Sequence, residues 1–392
     1  MLENGLPMIE AKEYRNRWDA VNLFMEKNDL DVVIAYGDDR FTYGPAFIRY
    51  YTNIPVCFEP MLIMFVKEHE PVLFVGPESD DWAVLRGCVK DIFVLKEMTH
   101  PDEVYLYSNI KSLEEVTVEL TNGKTLKRIG LAPIAYMGAT IYESIRNTFP
   151  EAELIDVEYG LTMLRAIKTP NEIEVIKYAY RIACEACKAG LEILAPGVCE
   201  RDVAAEIEYC ARKMGAEGFG IDTMVANGVN SYPILAKTTF DKIENNQIVN
   251  LTIAPRYEGY HAAIARTVIV GNPENRAMNL IKAEARAQVE CSKMMKPGIK
   301  GSIVEAHARK IMQEAGFING FKYSGIHSVG MIEFESPIYG PGVEDEIEAN
   351  MFLSLDIPNY DRSKYGARIE NGYFITENGA ELLTDLEMVI YK

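Results

Sequence analysis

The chain has 392 residues, with 40 basic side chains against 58 acidic ones and a formal net charge of −18. That balance argues against nucleic acid as the main partner, because phosphate binding needs a surplus of Lys and Arg. A composition that is 48% hydrophobic and 25% charged excludes a disordered chain, and no apolar run approaches the ~18 residues of a membrane helix.

The opening segment, MLENGLPMIE, has neither the basic start nor the apolar stretch of a secretory signal. Seven cysteines, odd in number and scattered, form no disulfide framework. A reduced, cytoplasmic location is the expectation, with no membrane partner.

Helical spacing of Tyr14, Trp18, Val21 and Met25 predicts a first helix over Ala11 to Asn28. Short β-rich runs follow at Asp31 to Tyr36, Met61 to Val66, Pro71 to Val75 and Asp91 to Leu95, then at Arg128 to Leu131 and Glu153 to Val157. Turn residues separate them, and the alternation reads as an α/β domain over residues 1–160.

The second domain, residues 161–392, opens on Thr169-Pro-Asn-Glu172: a capping hydroxyl, a first-turn proline and a glutamate three residues on. A helix from there can run to about Ile193. Leu194-Ala-Pro-Gly197 and Met295-Lys-Pro-Gly298 each lead into a helix, then to Gly218-Phe219 and Gly316-Phe317. This echo predicts a duplicated α+β unit with strands at Ile248 to Ala254, Tyr260 to Val270, Met351 to Ile357 and Arg368 to Thr376.

Those strands and their connections carry Glu258-Gly-Tyr260, Ala265-Arg-Thr267, His327-Ser-Val-Gly330, Glu335-Ser-Pro337, Asp356-Ile-Pro358 and Arg368-Ile-Glu370. In order and spacing they resemble the motifs of the pita-bread family, which includes methionine aminopeptidase, aminopeptidase P, prolidase and creatinase. Leu164 to Ile173 resembles the family's entry to its catalytic domain, and the first half resembles the amino-terminal domain of the prolidase and creatinase branch. The resemblance implies an α/β domain followed by a duplicated pita-bread domain.

The family's peptidases use two aspartates, a histidine and two glutamates as metal ligands. On this sequence the aspartates fall on Thr252 and Ala263, the histidine on His327, and the glutamates on Asp356 and Glu370. Threonine is a poor ligand for a hard divalent ion and alanine is none, so the expectation is that the two-metal site is lost. Two family histidines fall on Leu235 and Phe334.

Creatinase is the family's precedent for a metal-free hydrolase of a C–N bond, although its catalytic histidine and one carboxylate would fall on Leu235 and Ala265. Ectoine hydrolase is a further relative acting on a small C–N compound.

Strand alternation puts His261, Ala263 and Ala265 on one face, Asp356 with Ser354, and Glu370 with Arg368. Carboxylates clustered beside a histidine tune one another's proton affinity. The expected catalytic set is therefore His327, as proton carrier, with Glu335, Asp356 and Glu370; His261 and Arg368 are expected to bind substrate.

In the first half, the stretches Arg49 to Asn53 and Cys57 to Pro60 resemble a segment that reaches the partner's active site in creatinase-like dimers. They nominate Tyr50 and Glu59 as further substrate-binding residues. Glu59 stands where creatinase has an arginine, which favours a cationic substrate.

The main expectation is a homodimeric, metal-independent hydrolase of a small amidine, guanidine or amide, with no cofactor. Two alternatives stand beside it. One is an Xaa-Pro peptidase-like hydrolase holding a single divalent ion on His327, Asp356 and Glu370; the other is a non-catalytic binding module. Cys184 and Cys187 have CxxC spacing inside a predicted helix, where small core residues are the favoured reading.

Overall fold

The computed structural model describes residues 5–56, 58–362 and 364–392. Met1 to Asn4 of the opening segment and Cys57 of the Cys57-to-Pro60 stretch lie outside the described residues. The chain divides between Arg165 and Ala166 into two compact units, Ile9–Arg165 and Ala166–Lys392, the latter with the stretch ending at Met8. The division falls beyond residue 160 because the short helix Glu158–Met163 buries Leu161 within the first unit.

In the first unit the order is α1 (Ala11–Lys27), β1 (Val32–Gly37), α2 (Ala46–Thr52), β2 (Met61–Val66), β3 (Val72–Val75), α3 (Asp80–Arg86) and β4 (Asp91–Leu95). It continues with β5 (Ile110–Lys111), α4 (Leu113–Thr121), β6 (Arg128–Ala132), α5 (Ala139–Thr148), β7 (Glu153–Asp156) and α6 (Glu158–Met163). The strands form one sheet in the order β5-β4-β3-β2-β1-β6-β7. Every residue of β1 and β2 is buried, so these strands read as apolar runs without alternation. Helix α1 buries Tyr14, Trp18, Val21 and Met25, the face its spacing predicts.

The second unit begins with α7 (Pro170–Ile193), whose capping box is made by Thr169 and Glu172, each side chain bonded to the other's backbone N–H. There follow α8 (Glu200–Lys213), β8 (Gly218–Phe219), β9 (Met224–Asn227), β10 (Gln247–Ile253), β11 (Pro255–Tyr257), β12 (Tyr260–His261) and β13 (Ile264–Val270). Then come α9 (Asn275–Ser292), α10 (Gly301–Glu314), β14 (Ile326–Ser328), β15 (Glu335–Ile338), β16 (Phe352–Tyr360), β17 (Gly366–Thr376), β18 (Gly379–Leu382) and β19 (Ile390–Tyr391).

The main sheet runs β15-β14-β16-β17-β13-β10-β9. Its two ends are repeats of each other: a helix pair and three strands on one side, a helix pair and its strands on the other, joined at β13 and β17. The repeat extends to single bonds. Gly197 and Gly298 both take positive φ, +89° and +83°, and their N–H groups donate to Ile243 O and Ile347 O at 2.8 and 2.9 Å. A side chain at either position would force an L-residue into left-handed backbone.

Arg266 holds the seam. Its guanidinium donates to Ala265 O and Glu370 O at 2.8 Å, to Asn371 Oδ1 at 2.7 Å and to Glu387 O at 2.9 Å, so it staples β13 to β17 from the face opposite the site. Thr267 Oγ1 donates to Arg368 O and accepts from Arg368 N, adding two bonds across the same seam. On the second repeat, Gln288 of α9 donates to Leu355 O and Ile369 O at 2.6 and 2.7 Å, fixing the helix on β16 and β17.

The strand expected over Tyr260 to Val270 is broken. Tyr260 and His261 pair with β11 in a separate three-stranded sheet, and Ala262 and Ala263 belong to no strand before β13 begins. Alternation therefore does not relate His261 to Ala265, because the chain passes from one sheet to another between them.

Candidate functional site

Thr252 on β10 pairs with Ala265 on β13, Ala265 with Glu370 on β17, and Glu370 with Asp356 on β16. Directly paired residues share a face, so these positions form a row across the seam. His327 on β14 pairs with Ser354, two residues before Asp356, and joins that face. His327, Asp356 and Glu370 are fully buried.

Within the row the acids are held differently. Arg368 grips Asp356 in two places, Nε to Oδ1 at 2.9 Å and Nη2 to Oδ2 at 2.8 Å, while Nη2 also lies 2.9 Å from Glu370 Oε2. Tyr323 donates its hydroxyl to Asp356 Oδ2 at 2.5 Å, and Ser354 donates to Glu370 Oε1 at 2.7 Å. Burial raises Asp356 to about 6 against the pull of Arg368. For Glu370 the burial penalty is outweighed by Arg368 and His327, which hold it down at about 2. An arginine shared by two buried carboxylates at these distances is a charge-assisted, partly bidentate bridge.

His327 Nδ1 lies 3.0 Å from Ser328 O, which fixes the Nδ1–H tautomer by that hydrogen bond. Its Nε2 has no hydrogen-bond partner and lies 3.7 Å from Glu370 Oε1. Burial works against a charge on this ring, but Glu370 and Glu333 raise its proton affinity overall. One donor atom each from His327, Glu333 and Glu370 falls within a span of 4.8 Å.

Glu333 is the residue that sequence reasoning missed. It sits between β14 and β15, is 4% exposed, and is pushed up to about 7 by burial and by Glu370. The available signal was a second glutamate two residues before Glu335, with Phe334 between them; that phenylalanine packs against His327 with ring centroids 4.3 Å apart.

The other nominated residues are placed as follows. Glu335 is buried beside Lys168, whose Nζ lies 3.6 Å from its Oε1. His261 is fully buried, Nδ1 lies 3.2 Å from Gly330 O, and burial lowers its ring to about 3. Its Nε2 has no hydrogen-bond partner. A Cβ on Gly220 would meet both the His261 ring and Glu333 Cβ at 2.7 Å, so these two side chains line one narrow space.

Glu59 and Tyr50 belong to the first unit and are engaged within it. The Glu59 carboxylate accepts from Glu78 N at 3.1 Å and lies against Gly76, and Arg17 covers the Tyr50 ring at 4.0 Å. The negative charge behind the cationic-substrate expectation is thus bonded inside its own unit. Cys184 and Cys187 are buried in α7, where burial pushes both thiols up to about 12.

With this geometry in hand, the relatives define the class. Residues 174–377 match metallopeptidase family M24, and residues 17–167 match the creatinase/prolidase N-terminal domain. The Xaa-Pro dipeptidase of Pyrococcus furiosus is 30% identical over 291 residues, covering 74% of this chain and 82% of that protein. Among solved structures, the prolidase from Pyrococcus furiosus superposes with a TM-score of 0.77 at 26% identity, over 93% of this chain and 99% of that one. The prolidase from Pyrococcus horikoshii reaches a TM-score of 0.81 at 24% identity, over 95% and 99% of the two chains, and shows the shared fold.

The chain belongs to metallopeptidase family M24, a family of hydrolases with the pita-bread fold, in its creatinase and prolidase branch.

Two expectations are corrected by these relatives. A metal-independent, creatinase-like hydrolase of amidines or guanidines is overturned by the metallopeptidase match and by the Xaa-Pro dipeptidase relatives. The expectation of no cofactor falls with it. The error had a physical source: ligands were sought only where the family's motif places them, and Glu333 is not one of those positions.

The donors present fit one divalent ion. A histidine nitrogen with its tautomer fixed by a backbone carbonyl, beside two carboxylates, is the arrangement of a ligand set with a supporting shell. Asp356 is outside that cluster, committed to Arg368 and Tyr323. A pair of ions has no such fit, because Thr252 and Ala263 bring no carboxylate.

Proposed function

We propose that the chain is a metal-dependent hydrolase of small peptides with proline in the second position, Xaa-Pro dipeptides above all. The observation that carries this reading is the buried His327–Glu333–Glu370 cluster, whose histidine Nε2 has no hydrogen-bond partner. A divalent ion there would polarise the scissile carbonyl and acidify water.

The protein's own side chains have separate tasks. His327, Glu333 and Glu370 would hold the ion, while Glu335 pairs with Ser328, on the face of β14 opposite His327, and is kept there by Lys168. Asp356 and Arg368 keep Glu370 in place. His261, neutral and with Nε2 as an acceptor, takes a hydrogen bond from a substrate N–H.

The reading extends to a cytoplasmic homodimer. In support of the dimer, the apolar side chains of Val104, Leu106 and Tyr107 are exposed.

The test is hydrolysis of Ala-Pro and Leu-Pro by protein loaded in turn with Mn(II), Co(II) and Zn(II), before and after chelation. Turnover that disappears with chelator and falls by roughly 100-fold or more in His327→Ala is the expected result. Absence of cleavage with every ion would overturn the proposal.

A further inference from the structure

We propose that this site takes one divalent cation and not two, ligated by His327 Nε2, Glu333 and Glu370, because Thr252 and Ala263 supply no carboxylate for a second ion and Arg368 already engages both Asp356 and Glu370. The inference rests on the metal dependence proposed above.

A second ion would need carboxylates that bridge it. Asp356 and Glu370 are the candidates on the loaded side of the seam, and both already face a cation: Arg368 Nη2 lies 2.8 Å from Asp356 Oδ2 and 2.9 Å from Glu370 Oε2. Arg368 is 6% exposed, so it cannot swing into solvent to admit an ion without unburying its partners. On the opposite side of the seam Thr252 is buried and its Oγ1 has no hydrogen-bond partner, leaving an uncharged oxygen where a second ion would need a charged one.

Charge leads to the same number. Glu333, Asp356 and Glu370 are three buried carboxylates at the site, and Arg368 is one buried cation beside them, while Glu335 and Lys168 pair with each other on the opposite face of β14. The remainder is two negative charges with His327 neutral, which one divalent ion cancels. Two ions would leave two uncompensated positive charges among buried side chains, which is costly. Glu333 is therefore the compensating ligand on the loaded side for carboxylates absent from the other. A set of one imidazole and two carboxylates suits Mn(II), Fe(II), Co(II) or Zn(II).

The experiment is metal stoichiometry by elemental analysis, after equilibration with excess Mn(II) or Zn(II) and desalting, with circular dichroism confirming that each variant is folded. Wild type should retain about one equivalent per chain, and Glu333→Gln should bind at least roughly tenfold more weakly. The shift in melting temperature on adding metal gives a second readout, present in wild type and lost in Glu333→Gln. Two equivalents in wild type would overturn the inference, even with Xaa-Pro turnover intact. So would unchanged affinity in Glu333→Gln, or no retained metal. One equivalent lost in Glu333→Gln without Xaa-Pro cleavage would uphold the inference and sink the peptidase reading instead.

Discussion

Strands β10 and β13 bring Thr252 and Ala265 to the seam of the catalytic sheet; β14, β16 and β17 bring His327, Asp356, Arg368 and Glu370 to the same row. The two repeats share their backbone plan down to the paired bonds at Gly197 and Gly298. They differ in what they carry on the site-facing row: small uncharged side chains at Thr252 and Ala265 on one side, a dense buried charge network on the other. Scaffold and chemistry are therefore separable here. Register and the Arg266 staple hold the seam together without help from the site, so the fold does not require ionisable groups at Thr252 and Ala265.

Substitutions at the site-facing charged positions of the loaded half should therefore be expensive, and those at Thr252 and Ala265 on the bare half nearly silent. Arg368→Met removes the only cation bridging Asp356 and Glu370 among the described residues and leaves both carboxylates buried. It should lower unfolding free energy by roughly 3–5 kcal/mol, read by urea denaturation. A loss below about 1 kcal/mol would mean the bridge is solvated and the contrast overstated.

Glu284, fully buried on α9 of the loaded half, sharpens the comparison through pH. Burial, with a smaller contribution from Asp356, raises its pKa well above 4.5. The folded chain then keeps a proton that the unfolded chain releases. Its contribution is fully present below about pH 4.5 and is lost as pH rises toward the folded value. Glu284→Gln should match wild type near pH 4.5 and exceed it at pH 8, by about 1.4 kcal/mol for every tenfold difference in proton affinity between the folded and unfolded carboxyl. Parallel stability curves for the two proteins would break this assignment.

The smallest effect belongs to the bare half. Thr252→Val keeps shape and removes a buried hydroxyl that has no hydrogen-bond partner. Stability should change by less than about 1 kcal/mol, and a gain is the expected direction. A loss of several kcal/mol would show that Thr252 works for the site after all.

Much of the fold was legible because it depends on local signals. The apolar run Met61 to Val66 became β2 with the same limits, and Thr169 to Glu172 became the cap of α7. The LAPG and MKPG echo marked the duplication, since a glycine at positive φ is needed at the same place in each repeat. His327, Asp356, Arg368 and Glu370 were legible from their motif strings, and the structure gathers them on one face.

What the chain's order alone determined was which residues alternate, cap and turn, and hence two units with a duplicated second one. Only the tertiary structure decided the partners. It put Glu333, 37 residues before Glu370 in sequence, within the same donor cluster as Glu370 and His327. It set Arg368 between two carboxylates, and it broke the strand at Ala262 and Ala263 so that His261 entered another sheet. The physical reason is that alternation fixes the face of a side chain from its immediate neighbours. The partner it meets across that face depends on cross-strand register and loop path, which are set by contacts far apart in the chain.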